Sequence, residues 1–230
     1  MLLALLVLGI GGPAAVATAQ EPPPIDPAQG IARWNAANLL CRDPQVAALE
    51  AIGACEQRDT YSKLLALARY CYGPLTAGGA ATWSVCTPAR AAQDAALARA
   101  TARFERVGGV FVLPAVLNAT TRSYFIVDSG AANVQIPEEV AAELQRAGKL
   151  ADSDFLGERR FVLADGRGLQ QRIIRLRSLQ VGDRVMENVL AAVGAPRSRG
   201  LLGQSFLRRL NWWKIDNVGN AIELEFTGAF

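Results

Sequence analysis

The apolar pattern of this 230-residue chain changes period near Arg106. Before that point, apolar residues recur at helical spacing. Ile31–Leu40, Gln45–Ile52, Thr60–Tyr70 and Ala89–Phe104 each place them on one helical side, with Leu64, Leu65, Leu67 and Ala68 forming such a face. Asp43-Pro44 reads as a helix start, and Gly73-Pro74 and Gly78-Gly79 as breaks. Beyond Gly108-Gly109 the texture is that of strands: Val110–Asn118, Ser123–Val127, Arg160–Leu163, Leu169–Val181, Arg184–Val193 and Ala221–Phe226. Asn118–Thr121, Gly182-Asp183 and Asn217–Asn220 supply the turns. The pattern predicts two parts, an all-α segment over 29–105 and a mostly-β domain over 107–230.

One strand ends in an unusual way. Tyr124-Phe125-Ile126-Val127 runs directly into Asp128-Ser129-Gly130-Ala131. A carboxylate at the end of a buried strand costs free energy unless it is paired or used. Composition then narrows the chemistry. The chain has no histidine, which excludes Ser-His-Asp and Cys-His catalysis and His-Glu-x-x-His zinc chemistry. Its lysines are Lys63, Lys149 and Lys214, none in a Ser-x-x-Lys pattern. Carboxylate chemistry is what remains, with Asp128 at its centre. A net charge of +3, spread without a basic block, gives no support to nucleic-acid binding.

Leu2–Ala19 is almost wholly apolar or small and ends in Ala17-Thr18-Ala19, as a secretory signal peptide does. No Lys or Arg precedes it, so an uncleaved anchor is the second reading; in that case the protein stays at a membrane. Otherwise no stable insertion is expected, and the location is periplasmic or secreted. Residues 20–28 hold Pro22, Pro23, Pro24 and Pro27, an extended linker. The cysteines Cys41, Cys55, Cys71 and Cys86 are even in number and contain no Cys-x-x-Cys pair, which favours structural disulfides over a metal site. Three pairings are possible. The sequential one, Cys41–Cys55 and Cys71–Cys86, is preferred because its loops are short.

Three separated features of the β part resemble single-lobe, retroviral-type aspartic proteases, in particular exported bacterial members of that retropepsin-like family. They are Phe125–Ala131, a hairpin with Leu163-Ala164-Asp165-Gly166 at its tip, and Leu201-Leu202-Gly203 followed by Gln204–Leu207. The resemblance implies a small closed β-barrel-like lobe with a flap hairpin and a short C-terminal helix. It implies that Asp128 is the catalytic acid of an endopeptidase. Ser129, Gly130 and Ala131 form the active-site loop, Ala164, Asp165 and Gly166 belong to the flap, and Leu201–Gly203 is a structural second step. One departure is Ala132, where relatives often carry Ser or Thr.

The second step has no acid, so one chain supplies half of a catalytic pair. The resemblance therefore implies a homodimer acting on a peptide or protein substrate, with Ala221–Phe226 as a candidate seam. No metal or cofactor is called for. The other reading is a catalytically inactive scaffold or binding module of the cell envelope. A mixed one treats the helical segment as a pro-region cut near Arg103–Gly109.

Overall fold

The structure is a computed structural model, described here for residues 24–74, 79–162 and 166–227. The apolar leader at 1–19, residues 20–23 of the proline-rich linker and the hairpin tip at 163–165 lie outside the described residues; the linker's last two residues, Pro27 and Ala28, are helical.

Helix α1 (Pro27–Arg42) begins where the sequence provides a cap. The Asp26 carboxylate accepts from the amides of Ala28 and Gln29, and Pro27 occupies the first turn, where it forfeits no hydrogen bond. Helix α2 (Ala48–Leu67) packs antiparallel to it across a Trp34 Nε1 bond to Ser62 Oγ at 2.8 Å. Asp43-Pro44 does not start a helix, contrary to expectation. Its carboxylate instead accepts from the Gln45 amide and shapes the turn between the helices. The disulfides are Cys41–Cys55, which ties α1 to α2, and Cys71–Cys86, the sequential pairing.

The first part is α-helical but not all-α. β1 (Tyr70–Pro74) and β2 (Ala81–Val85) form a hairpin closed by Cys71–Cys86. Its Tyr72 and Trp83 pack on Trp34, with ring centroids 4.6 and 5.5 Å away. Helix α3 (Pro88–Ala98), capped by Thr87, stops short of Phe104. Residues 99–104 were expected to continue it. They form β3 (Arg99–Arg103) instead, paired with the last strand of the chain. The reason is a period-2 pattern hidden in an alanine-rich run: Ala100 and Ala102 are buried between exposed Arg99, Thr101 and Arg103. Alanine is the strongest helix former, but propensity is a small term per residue, and pairing with a waiting strand outweighs it.

The rest is mostly β. β4 (Glu105–Val107), β5 (Val110–Leu117), β6 (Thr121–Val127), β7 (Val134–Ile136), helix α4 (Glu138–Arg146), β8 (Phe155–Val162), β9 (Gly168–Val181), β10 (Arg184–Val193), β11 (Gly200–Leu202), the short helix α5 (Gln204–Leu207), β12 (Leu210–Asp216) and β13 (Ala221–Phe226) follow in order. One sheet runs β4-β5-β6-β11-β7-β10-β9-β8, and β5 also pairs with β9. That extra pairing closes six strands into a small barrel. Leu113, Leu117, Phe125, Ile136, Leu176 and Leu202 fill it without solvent exposure. Burying each such side chain contributes about 1.5–3 kcal/mol.

A second sheet has the order β12-β13-β3. This corrects the expected dimer seam. Ala221–Phe226 is the central strand, bonded on both sides by its own chain, so it offers no free edge. The expected cuttable linker is also absorbed. Arg103 ends β3, Glu105–Val107 pairs with β5, and Gly108-Gly109 turns the hairpin between β4 and β5.

The helices are fixed to the barrel by buried charge. Asp59 on α2 accepts from Arg58 at 3.1 Å and from Arg209 at 2.7 Å, and Arg58 reaches Glu187 of β10 at 2.9 Å. Arg209 also donates to the carbonyls of Glu187 and Asn188. Asn188 Nδ2 in turn donates to the Cys41 carbonyl at 2.8 Å.

A separate ion cluster holds the approach to β8. Asp154 is fully buried and meets Arg175 at 2.6 Å and Arg177 at 2.9 Å. Burial by itself raises this carboxyl; the Ala151 amide, Arg177 and Arg175 outweigh it and hold it below its ordinary value of 3.8. A carboxyl depressed in the native state stabilises fully above its unfolded value, and the stabilisation is lost as pH falls through the native value. Asp154→Asn is therefore expected to lower stability near neutral pH by about 3 kcal/mol. Its urea midpoint should also lose less than wild type as pH falls below about 4. Parallel pH curves for the two proteins would contradict this account.

Candidate active site

Asp128 follows β6, and Gly203 follows β11. These strands are parallel neighbours, with Phe125, Ile126 and Val127 beside Gly200, Leu201 and Leu202. Both strand ends therefore emerge at the same place. The Asp128 amide donates to the Leu202 carbonyl at 3.1 Å and continues the ladder by one bond. The chain then turns: Asp128 Oδ1 accepts from the Gly130 amide at 2.9 Å, and the Ala131 amide donates to the Asp128 carbonyl at 3.3 Å. The carboxylate is half-buried, with Ser129 and Gly130 exposed beside it.

The loop after Asp128 is held from below by α5. The amides of Gln204 and Ser205 donate to the carbonyls of Ala131 and Ala132 at 2.8 and 3.1 Å. Gln204 Nε2 donates to the Ser129 carbonyl at 2.8 Å. Ser205 Oγ accepts from the Val134 amide at 2.8 Å and donates to the Leu190 carbonyl at 2.6 Å. Orphan amides at a helix start need acceptors, and here the active-site loop supplies them. Gly203 makes the approach possible. A Cβ there would collide with the Asn133 carbonyl oxygen and lie 2.7 Å from that of Ala131. Gln204 and Ser205 escaped the sequence reading. Their signal was a pair of polar residues directly after an apolar-apolar-Gly step, which only the fold shows to face the Asp128 loop.

Opposite the loop, the β8–β9 hairpin pairs Phe161 with Leu169 and Val162 with Gly168. Of the expected flap residues, Ala164 and Asp165 lie outside the described residues, while Gly166 sits in the turn with a φ of 83°. A cavity of about 370 Å³ lies between loop and hairpin, with Asp128, Phe161 and Val162 on its walls. Leu201 lines it too, whereas Leu202 is buried in the core.

Residues 114–209 match the model of the family described as gag-polyprotein putative aspartyl protease. The match spans the Asp128 loop, the β8–β9 hairpin and the Leu201–Gly203 step. Solved structures with similarity include a retropepsin-like aspartic protease from Rickettsia conorii, at 24% identity over 57% of this chain and 93% of that one, TM-score 0.40. The retroviral protease-like domain of Ddi1 from Leishmania major shares 19% identity over 51% of this chain and 93% of that one, TM-score 0.35. The EIAV protease complexed with the inhibitor HBY-793 shares 13% over 45% and 90%, TM-score 0.34. No curated protein matches the chain. Over these residues the β region is similar to aspartyl protease domains of that family.

Gly203→Ala tests the support of the loop. It is expected to cost about 1–3 kcal/mol of stability in urea denaturation. Amide hydrogen exchange at Gln204 and Ser205 should accelerate more than exchange in β9. Unchanged exchange at those two amides would mean that the contact does not hold the loop.

Proposed function

We propose that this chain is an exported aspartic endopeptidase that acts as a homodimer, with two copies of Asp128 forming the catalytic pair. The observation that carries the reading is the place of Asp128. It stands at a strand end beside a substrate-sized cavity, within the segment that matches an aspartyl protease family. The neighbouring strand end, Leu202-Gly203, brings no second acid to the same spot.

Peptide hydrolysis needs a base for the attacking water and an acid for the carbonyl oxygen and the departing nitrogen. Two carboxylates about 3 Å apart cannot both ionise, so they share one proton and supply both roles. Ser129 and Gly130 are exposed beside Asp128, and in such a dimer they would meet their copies across the two-fold axis. The hairpin over the cavity would cover an extended peptide bound as an added strand. The disulfides support an extracytoplasmic setting. Among the described residues no helix is long and apolar enough to cross a membrane. Under this reading the protease domain extends over 107–230 together with β3, and the helices before it form a docked accessory unit.

One observation favours a second reading, a non-catalytic envelope module. With β13 bonded on both edges, a second copy cannot pair with that last strand.

The discriminating measurement is cleavage of an unfolded protein at mildly acid pH, alongside sedimentation at micromolar concentration. Wild type is expected to cleave and to show a dimer. Asp128→Asn is expected to reduce kcat/KM by at least about 10³-fold with an unchanged circular dichroism spectrum. Undiminished cleavage by Asp128→Asn would end the proposal. A strict monomer that neither cleaves nor dimerises with peptide would favour the module.

A further inference from the structure

The cavity beside Asp128 has an apolar side and an amide side. Phe161, Val162 and Leu201 form the first, and Gln135 and Gln171 contribute to the second. Gln171, on β9, is only 8% exposed. Its Nε2 donates to Gln135 Oε1 at 2.9 Å and to the Val193 carbonyl at 3.4 Å. Gln135, on β7, passes the chain on: its Nε2 donates to the Arg199 carbonyl at 3.1 Å.

The polarity of this chain is fixed. Backbone carbonyls stand at both ends, and a carbonyl only accepts. Flipping either amide would set oxygen against oxygen, so the orientation of both follows from their partners. Room for the Gln135 amide is made by Gly194, where a Cβ would lie 2.9 Å from Gln135 Nε2.

A carboxamide has two N–H donors and one carbonyl acceptor. Both Gln171 donors are committed, so its spare capacity is Oε1. Among the described residues its hydrogen bonds run through Nε2, and Gln171 lines the cavity. A ligand group that fills this space must therefore donate a hydrogen bond there, or strip water from the acceptor and leave it unpaired. Among the described residues lining the cavity, Asp128 is the only ionisable one. Nothing else there offers a counter-charge to a cation, and a neutral donor fits best.

We propose that Gln171, held by Gln135, selects peptides that place a hydroxyl or carboxamide side chain (Ser, Thr, Asn or Gln) in the subsite beside Asp128. This rests on the peptidase reading above and names its substrate class. An apolar side chain of similar size, Val for Thr or Leu for Asn, is disfavoured by about ten-fold.

The test uses the full chain and a peptide library randomised over its central positions, with two readouts. Cleavage products of wild type, Gln171→Met and Gln171→Glu are profiled by mass spectrometry. Binding of the same library to Asp128→Asn protein, with and without each Gln171 change, is measured at equilibrium. Circular dichroism and melting curves check each variant's fold. The expected result is a wild-type preference for Thr and Asn over Val and Leu at one subsite. Gln171→Met should erase it, and Gln171→Glu should move it towards Lys and Arg. If Gln171→Met fails to fold, Gln171→Glu decides alone. Cleavage with a preference unchanged by Gln171→Glu, or a wild-type preference for Val and Leu, overturns the inference while leaving the peptidase standing. Donor-selective binding without any cleavage upholds the subsite and overturns the peptidase. Neither cleavage nor binding overturns both.

Discussion

The parallel pairing of β6 with β11 is the constraint on which the site depends. It is short, three residues on each side, yet it brings two distant strand ends to one point. From there, Gly203 lets backbone approach backbone, and the start of α5 binds the carbonyls of the Asp128 loop. Buried hydrogen bonds of this kind each contribute about 1 kcal/mol net, but losing one partner costs more, because the orphaned group stays desolvated. The loop is thus held by a set of bonds that form together or not at all. A carboxylate in a half-buried turn keeps its position only on such a support.

The helical unit is attached by a different kind of interaction. Arg58, Asp59 and Arg209 are almost fully buried, and Glu187 completes the network from β10. Buried ion pairs contribute little net stability compared with apolar packing, because desolvation offsets attraction. What they impose is geometry, since a misplaced arginine would be left uncompensated. The network therefore specifies how α2 sits on β10 and α5 more than it strengthens the contact. Cys41–Cys55 lies in the same contact, with Asn188 donating to the Cys41 carbonyl. The disulfide and the contact of the helices with β10 meet at that point.

Much of this was legible in the sequence, for physical reasons. Long strands rich in branched apolar residues, such as β9 and β10, declare themselves. So does a turn at Asn118-Ala119, where both residues take positive φ. Asp128 was legible because an acid ending an apolar strand is costly and therefore informative. β3 was not: Arg99–Arg103 is too rich in alanine to look like a strand, and only the partner strand makes it one. Asp43-Pro44 misled because the same dipeptide suits a helix start and an interhelical turn. The Gln135–Gln171 chain was invisible, since those residues come from strands joined only through β10.

The placement of β3 alters what a second copy would have to do. A free terminal strand would let two chains join by backbone pairing, a large and unspecific source of affinity. Here β3 already occupies that edge, with Ala100 and Ala102 buried in the core and Arg99 paired to Glu225 at 3.2 Å. A two-fold contact made by the loop around Ser129 and Gly130 and by the β8–β9 hairpins would be a smaller surface. Small interfaces bind weakly unless a shared ligand bridges them. A peptide lying between the two loops would be such a bridge, since it can pair with both hairpins at once. Assembly and substrate binding would then be one equilibrium, in which the substrate stabilises the pair by mass action.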